Sequence, residues 1–191
     1  MKDVRDEKGQ SGYQDSDDRE LIRLFSKGDR GAFDEFYKRY YFGLVRFVMS
    51  YCNDRTLAED VVQDIFLKLM DFRIRLGFVK NIKGYIYSAV INRCRDILRQ
   101  RRDYSPVDDD RNEDFATVDK GDEIVDARIV NRLVERLPQT QREVLLLRIS
   151  SNLPFKEIAG ILKISENSAK VNYFYAVTSL RKMIGEENIN E

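Results

Sequence analysis

Apolar side chains recur along this chain at intervals of three and four, the mark of helices that each bury one face. A short helix is predicted over Asp18–Ser26, ending at Gly28, a residue suited to the left-handed cap position. Asp29 then caps a long helix whose inward stripe is Phe33, Phe36, Tyr37, Tyr40, Tyr41, Leu44, Val45 and Val48. Thr56-Leu57-Ala58-Glu59 has the form of a capping box, and the helix it opens carries Ala58, Val61, Val62, Ile65, Phe66 and Leu69 on one side. A fourth helix is expected over Lys83–Arg101, with Tyr85, Ile86, Ala89, Val90, Cys94, Ile97 and Leu98 inward. After a long polar stretch the period returns at Ile129, Val130, Leu133, Val134 and Leu137. Pro138 precedes a helix over Thr140–Ile149, where Thr140 and Glu143 again match a capping box.

The last two elements are a short helix, Phe155–Leu162, and a second that starts at Glu166, joined by Lys163-Ile164-Ser165. Ile158, Ala159, Leu162 and Ile164 supply a small core, and Ala169, Tyr173, Ala176 and Leu180 fall on one face of the second helix. This is the helix-turn-helix pattern. The pattern as a whole predicts an all-α protein of two small helical domains, 18–102 and 126–184. They are joined by a flexible linker, 103–125, with a disordered leader, 1–17, and a tail, 185–191.

Composition sharpens this picture. Three prolines and ten glycines in 191 residues disfavour long irregular or β-rich architectures, and a 42% apolar fraction is enough for real cores. The net charge is zero, but residues 73–102 hold nine basic and one acidic side chain, whereas 103–126 hold two basic and ten acidic. Such blocks predict a polyanion on the basic stretch and an extended, self-repelling acidic tether. Twenty-three linker residues span at most about 80 Å, roughly two turns of duplex DNA. No histidine is present, and Cys52 and Cys94 are not spaced as a metal motif. No cofactor, metal or catalytic residue is therefore expected. Asp108-Asp109-Asp110 reads as a solvated acidic run. The polar N-terminus is no signal peptide and no stretch is long enough to insert in a membrane, so a cytoplasmic protein is expected.

The outward face of the last helix presents Asn167, Ser168, Lys170, Val171, Asn172 and Tyr175. Asparagine pairs with adenine edges, lysine with guanine or phosphate, and valine with a thymine methyl. Ser165 and Glu166 open that helix, where a phosphate is favoured. Sequence-specific duplex binding follows, and by this pattern alone a conventional dimeric helix-turn-helix regulator is an alternative.

A wider resemblance narrows the choice. The order AEDVVQDIF (58–66), YIYSAVINRCRDILRQRR (85–102), acidic linker, LPQTQREVLLLR (137–148), FKEIAGILKISENSAK (155–170) resembles a bacterial RNA polymerase sigma factor of the extracytoplasmic-function type, over about 20–184. The resemblance implies a non-enzymatic transcription initiation factor, monomeric when free. Its partners would be core RNA polymerase, promoter DNA and an anti-sigma protein. It implies that Asp60, Gln63 and Asp64 dock on the polymerase. It implies that Asn92, Asp96 and Arg99 read the start-proximal (−10) element, along a cationic track of Arg93, Arg95, Arg99, Arg101 and Arg102. Tyr85, Tyr87 and Phe78 are candidates to stack on unpaired bases, with Tyr85 more at home in the core. The second domain would read the upstream (−35) element. Four departures bear on that reading. Lys163 stands where the family has a turn glycine, Asn172 and Tyr175 stand where it favours arginine, and Pro154 replaces the usual serine-like cap, so upstream recognition that is unusual in sequence or weaker than typical is expected.

Overall fold

The computed structural model describes residues 13–104 and 130–187, and every regular element among them is a helix. In chain order these are α1 (Asp18–Ser26), α2 (Arg30–Cys52), α3 (Arg55–Asp71), α4 (Arg73–Leu76) and α5 (Ile82–Tyr104). Then follow α6 (described over 130–135), α7 (Gln139–Ser151), α8 (Phe155–Leu162) and α9 (Glu166–Glu187). Residues 105–129, which include most of the acidic linker and Ile129, lie outside the described residues, as do 1–12 of the leader.

Short polar side chains start the helices. The Asp17 carboxylate accepts from Glu20 N at 2.7 Å, Asp29 from Ala32 N at 3.2 Å, and Asp54 from Leu57 N at 2.9 Å. The capping box expected at Thr56 does not form. An aspartate two residues earlier takes the cap, where its negative charge also suits the helix N-terminus, and Glu59 instead pairs with Arg55 at 3.1 Å. The box expected at Thr140 is also absent. The helix starts at Gln139 after Pro138, with no side-chain cap, and Glu143 is turned toward the other half of the molecule. At their C-termini α2, α7 and α8 end on left-handed residues, Asn53, Asn152 and Lys163, and Gly28 after α1 has φ +107°.

Residues 13–17, expected to belong to a disordered leader, are placed. The Tyr13 hydroxyl donates to Asp29 at 2.7 Å, and its ring lies so close to Gly31 that a Cβ there would meet it at 2.9 Å. Glycine at 31 is what lets the ring approach α2 this closely.

The core confirms most of the predicted stripes and corrects their edges. The buried stripe of α2 runs on through Phe47, Tyr51 and Cys52, while Tyr37, Tyr41 and Val45 are only partly buried at its edge. In α5 the inward tyrosine is Tyr87, edge-on to Phe47 at 5.3 Å, whereas Tyr85 is 42% exposed. Val130 is likewise at the surface. Helices α1, α2, α3 and α5 pack together, and α7, α8 and α9 form the helix-turn-helix unit. The two units touch: α7 lies on α2, α8 lies on α5, and the apolar core runs continuously through both. Each large side chain fully buried there stabilises by roughly 1.5–3 kcal/mol, so the joint between the units is a substantial contact.

Candidate nucleic-acid interface

Three surfaces carry the predicted site residues. The first is the outward side of α3. Its inward side is committed to the core by Val61, Val62, Ile65, Phe66 and Leu69, which leaves Asp60, Gln63 and Asp64 exposed. With Leu57, Leu67 and Arg93 they line an open groove of about 300 Å³. The Arg93 guanidinium is 3.8 Å from the Asp64 carboxylate. Arg93 therefore lines this groove, because one helical step from Asn92 rotates it toward α3. The groove combines acidic and amide groups with Leu67, which is 60% exposed, and so presents acceptors beside an apolar ledge.

The second surface is α5 and the segment before it. Asn92, Arg95, Asp96 and Arg99 share one side and line a cleft of about 570 Å³ whose far wall is Tyr51, Gln139 and Arg142. Arg99 pairs with Asp96 at 3.3 Å. The backbone of Arg101 and Arg102 continues α5, but their side chains lie outside those described. Ahead of α5, Phe78 is 84% exposed and Ile74 69% exposed, flanked by Arg73, Arg75 and Lys80. Exposed flat rings beside cations suit unpaired bases. Phe78 and Tyr85 are exposed rings of this kind. Tyr87 is not: it is buried, and desolvation pushes its pKa up to about 12 despite a hydrogen bond with Ser151.

Arg95 is already engaged. It donates to Glu143 of α7 through Nε at 2.8 Å and through a terminal nitrogen at 2.5 Å. Glu143 is 1% exposed and also accepts from Tyr51 Oη at 2.6 Å and Gln139 Nε2 at 2.9 Å. Burial pulls the Glu143 pKa upward, but the hydrogen bonds from Arg95, Tyr51 and Gln139 outweigh it, so the carboxyl is held below its ordinary value. The same contact raises the Arg95 pKa, and burial together with Glu143 raises that of Tyr51. Above the ring of Tyr51, at 4.9 Å, lies the Arg142 guanidinium. The sequence pattern placed Glu143 at a helix start. No local signal could show that a residue 48 positions away would claim it.

The third surface is the helix-turn-helix. Lys163 adopts φ 58°, ψ 43°, and the turn closes with Ile164 N donating to Ala159 O at 3.0 Å. The Ser165 hydroxyl caps α9 by accepting from Ser168 N at 3.0 Å. Ala169 and Ala176 are fully buried and let α9 sit close to its neighbours, while Tyr173 packs edge-on against Phe155 at 5.5 Å. Glu166, Asn167, Lys170, Val171 and Tyr175 are exposed. Ser168 and Asn172 are partly buried and occupied with each other: Asn172 Nδ2 donates to the Ser168 carbonyl at 2.8 Å and to its hydroxyl at 3.3 Å. Lys170 pairs with Glu166 at 2.7 Å, which holds the Glu166 pKa below its ordinary value. Phe174, 65% exposed beside Tyr175, is a face residue that the sequence reading missed. Its spacing of three from Val171 and four from Lys170 was the available signal.

Among the described residues no group of acidic or thiol side chains could hold a metal ion, and no helix is long and apolar enough to cross a membrane.

Comparison with known proteins accords with this geometry. Residues 36–104 match the family model for sigma-70 region 2, and residues 127–180 match that for sigma-70, region 4. The ECF RNA polymerase sigma factor SigM of Mycobacterium tuberculosis (strain ATCC 25618 / H37Rv) is 24% identical over 182 residues, covering 94% of this chain and 91% of that protein. In fold, the chain is similar to CnrH in its complex with the cytosolic domain of CnrY, with a TM-score of 0.69 and 20% identity over 88% of this chain and 97% of that one. It is also similar to the sigma factor RpoE of Bartonella quintana in complex with the anti-sigma factor NepR, with a TM-score of 0.65 and 20% identity over 79% and 97%. A conventional dimeric regulator is not favoured, because it accounts for the region 4 match and leaves region 2 unexplained. Both regions being present in order, the chain belongs to the sigma-70 family, with the two-region organisation of the extracytoplasmic-function type, and is a promoter-directing transcription initiation factor and not an enzyme.

Proposed function

We propose that this chain docks on core polymerase through Asp60, Gln63 and Asp64, reads the start-proximal element with the α5 side, and reads the upstream element with α9. One observation carries the reading. A capped, turn-closed recognition helix and an exposed aromatic–cationic surface occur in the same chain, beside a separate acidic groove on α3. Each surface suits a different polymer. On α5 the strand readers are Asn92, Asp96 and Arg99, with Arg95 and Arg102 as cations and Phe78 and Tyr85 as stacking platforms. On α9 the base readers are Asn167, Lys170, Val171 and Tyr175, while Ser165, Ser168 and Asn172 shape the helix start more than they contact bases.

We also infer an anti-sigma partner that covers these faces in the cytoplasm, where the polymerase works. The two solved relatives above are recorded in complexes, one with the cytosolic domain of CnrY and one with an anti-sigma factor.

Reconstitution tests the assignment. The full chain with core polymerase, supplied with genomic DNA of its own source, is expected to give transcripts with discrete start sites. Reversing charge at Asp60 and Asp64 together is expected to weaken core binding at least tenfold without loss of helix content. Absence of any discrete start site would sink the reading. Full core binding by the charge-reversed variant would remove the α3 groove from it.

A further inference from the structure

The cleft of about 570 Å³ between α5 and α7 has one wall, Gln139 and Arg142, that none of the three promoter- and polymerase-facing surfaces uses. We propose that this cleft binds a small soluble anion with two linked phosphate groups, either inorganic diphosphate or the diphosphate of a nucleotide. Arg142 and the start of α7 would hold it on one side and Arg99 on the other. The inference does not depend on which promoter element α5 reads.

Three observations carry it. Arg142 lines the cleft, is 8% exposed, and has an Nε–H that meets no acceptor among the described residues, while its guanidinium rests on the Tyr51 ring. A buried donor without an acceptor is costly, and a ligand oxygen in the cleft would satisfy it. Second, α7 begins at Gln139 with no side-chain cap and no acidic residue in its first turn. The amides of Gln139, Thr140 and Gln141 precede the first backbone bond of that helix, from Arg142 N to Pro138 O at 3.0 Å. They carry the positive end of a helix of 13 residues, and Gln139 lines the cleft. Third, α5 adds the Asn92 amide and the guanidiniums of Arg95 and Arg99, against the one lining carboxylate, Asp96. Glu143, buried behind them, is already met by Arg95, Tyr51 and Gln139. The Arg99 side chain is 73% exposed, so it can turn from Asp96, 3.3 Å away, toward a ligand.

The walls stand before any ligand arrives. The apolar core continues through both units, with α7 on α2 and α8 on α5, so the cleft is a fixed space whose donors need no rearrangement to converge. Its volume falls within the range of small-molecule sites, roughly 300–1,000 Å³. Arg95 and Arg99 stand one turn apart, about 6 Å along α5, and Arg142 lines the cleft from α7. Guanidiniums grip phosphate oxygens in pairs, so donors spread over two helices favour two linked phosphates over one. A ligand that touches α5 and α7 at once also stabilises the packed chain in proportion to its binding.

Isothermal titration calorimetry on the full chain tests the site, with inorganic phosphate, inorganic pyrophosphate and guanosine diphosphate as probes. Pyrophosphate is expected to bind once per chain with a Kd below about 1 mM, and to raise the thermal unfolding midpoint as its concentration rises. Inorganic phosphate is expected to bind at least tenfold more weakly. Arg142→Gln is expected to weaken pyrophosphate at least tenfold. Arg99→Gln, at an exposed position that does not bear on folding, is expected to weaken it severalfold. Lys38→Gln, exposed on α2 and outside the cleft lining, is expected to leave binding unchanged. Guanosine diphosphate tighter than pyrophosphate would mark a nucleotide as the source of the diphosphate, and the reverse order would mark the inorganic anion. A pyrophosphate Kd above about 10 mM overturns the site. So does binding that Arg142→Gln and Arg99→Gln leave as tight as before, or that Lys38→Gln weakens as much as they do, since attraction would then be a matter of overall charge. Inorganic phosphate bound as tightly as pyrophosphate overturns the bridge between the two helices.

Discussion

Lys163 sits with φ 58° and ψ 43° at the end of α8, a conformation that costs most side chains roughly 1 kcal/mol. The chain's other left-handed helix ends use Asn53 and Asn152, which tolerate that region better, and Gly28 follows α1. Lys163→Gly is therefore expected to stabilise the C-terminal unit by roughly 0.5–1 kcal/mol, less than the full strain because glycine loses more freedom on folding. Urea unfolding followed by circular dichroism measures this, and an unchanged or lower midpoint would contradict it. Features of this kind were legible in the sequence because they are local: Asp29, Ser165 and the turn at Lys163 each answer to neighbours within four positions. Tyr85 and Tyr87 were not. They stand two positions apart in one helix, and only Phe47 and Ser151, brought in by α2 and α7, decide which of them points inward.

The recognition helix α9 is poor in free cations at its leading end. Lys170 is tied to Glu166, and Asn172 is turned back onto Ser168. The exposed positions that follow are Val171, Phe174 and Tyr175, which offer apolar contact and little attraction for phosphate. On the proposed reading, such a helix would discriminate by thymine methyls and shape more than by charge, and its binding would depend weakly on salt. Tyr175→Arg is expected to tighten upstream duplex binding and to steepen the slope of log K against log salt by about 0.9, the increment for one added phosphate contact. Titration of the holoenzyme on promoter fragments over a range of potassium chloride gives that slope, and an unchanged slope would place residue 175 away from the backbone. The helix itself was readable from Ala169, Tyr173, Ala176 and Leu180. Phe174 lies outside that stripe, one position past Tyr173. Its exposure follows from Ala176 and Tyr173 having taken the inward side.

At the scale of the molecule, the sequence shows two helical units and a charged tether, and nothing in it shows that they touch. The joint is built from pairs far apart in the chain, Tyr51 with Glu143, Arg95 with Glu143, and Asn81 with Glu157, so no local pattern encodes it. It does have a pH signature. Glu143 titrates below its ordinary 4.5 in the folded chain, which means that its ionised form binds its partners better than it binds water. A carboxylate with a lowered folded pKa contributes stability that is fully present above the unfolded value and is lost as pH falls through the folded one. Folding stability that depends on Glu143 should therefore be constant from about neutral pH down to about 5 and should decline below about 4.5. Other carboxylates titrate in the same window, so the difference between the unchanged chain and Glu143→Gln is the quantity to follow. That difference is expected to favour the unchanged chain at neutral pH and to shrink steadily on acidification, as the protonated glutamate comes to resemble the amide. Urea unfolding at a series of pH values measures it. A difference that stays constant through that range would show that the charge of Glu143 does not hold the halves together. The contact would then be one of shape, resting on the apolar packing of α7 against α2.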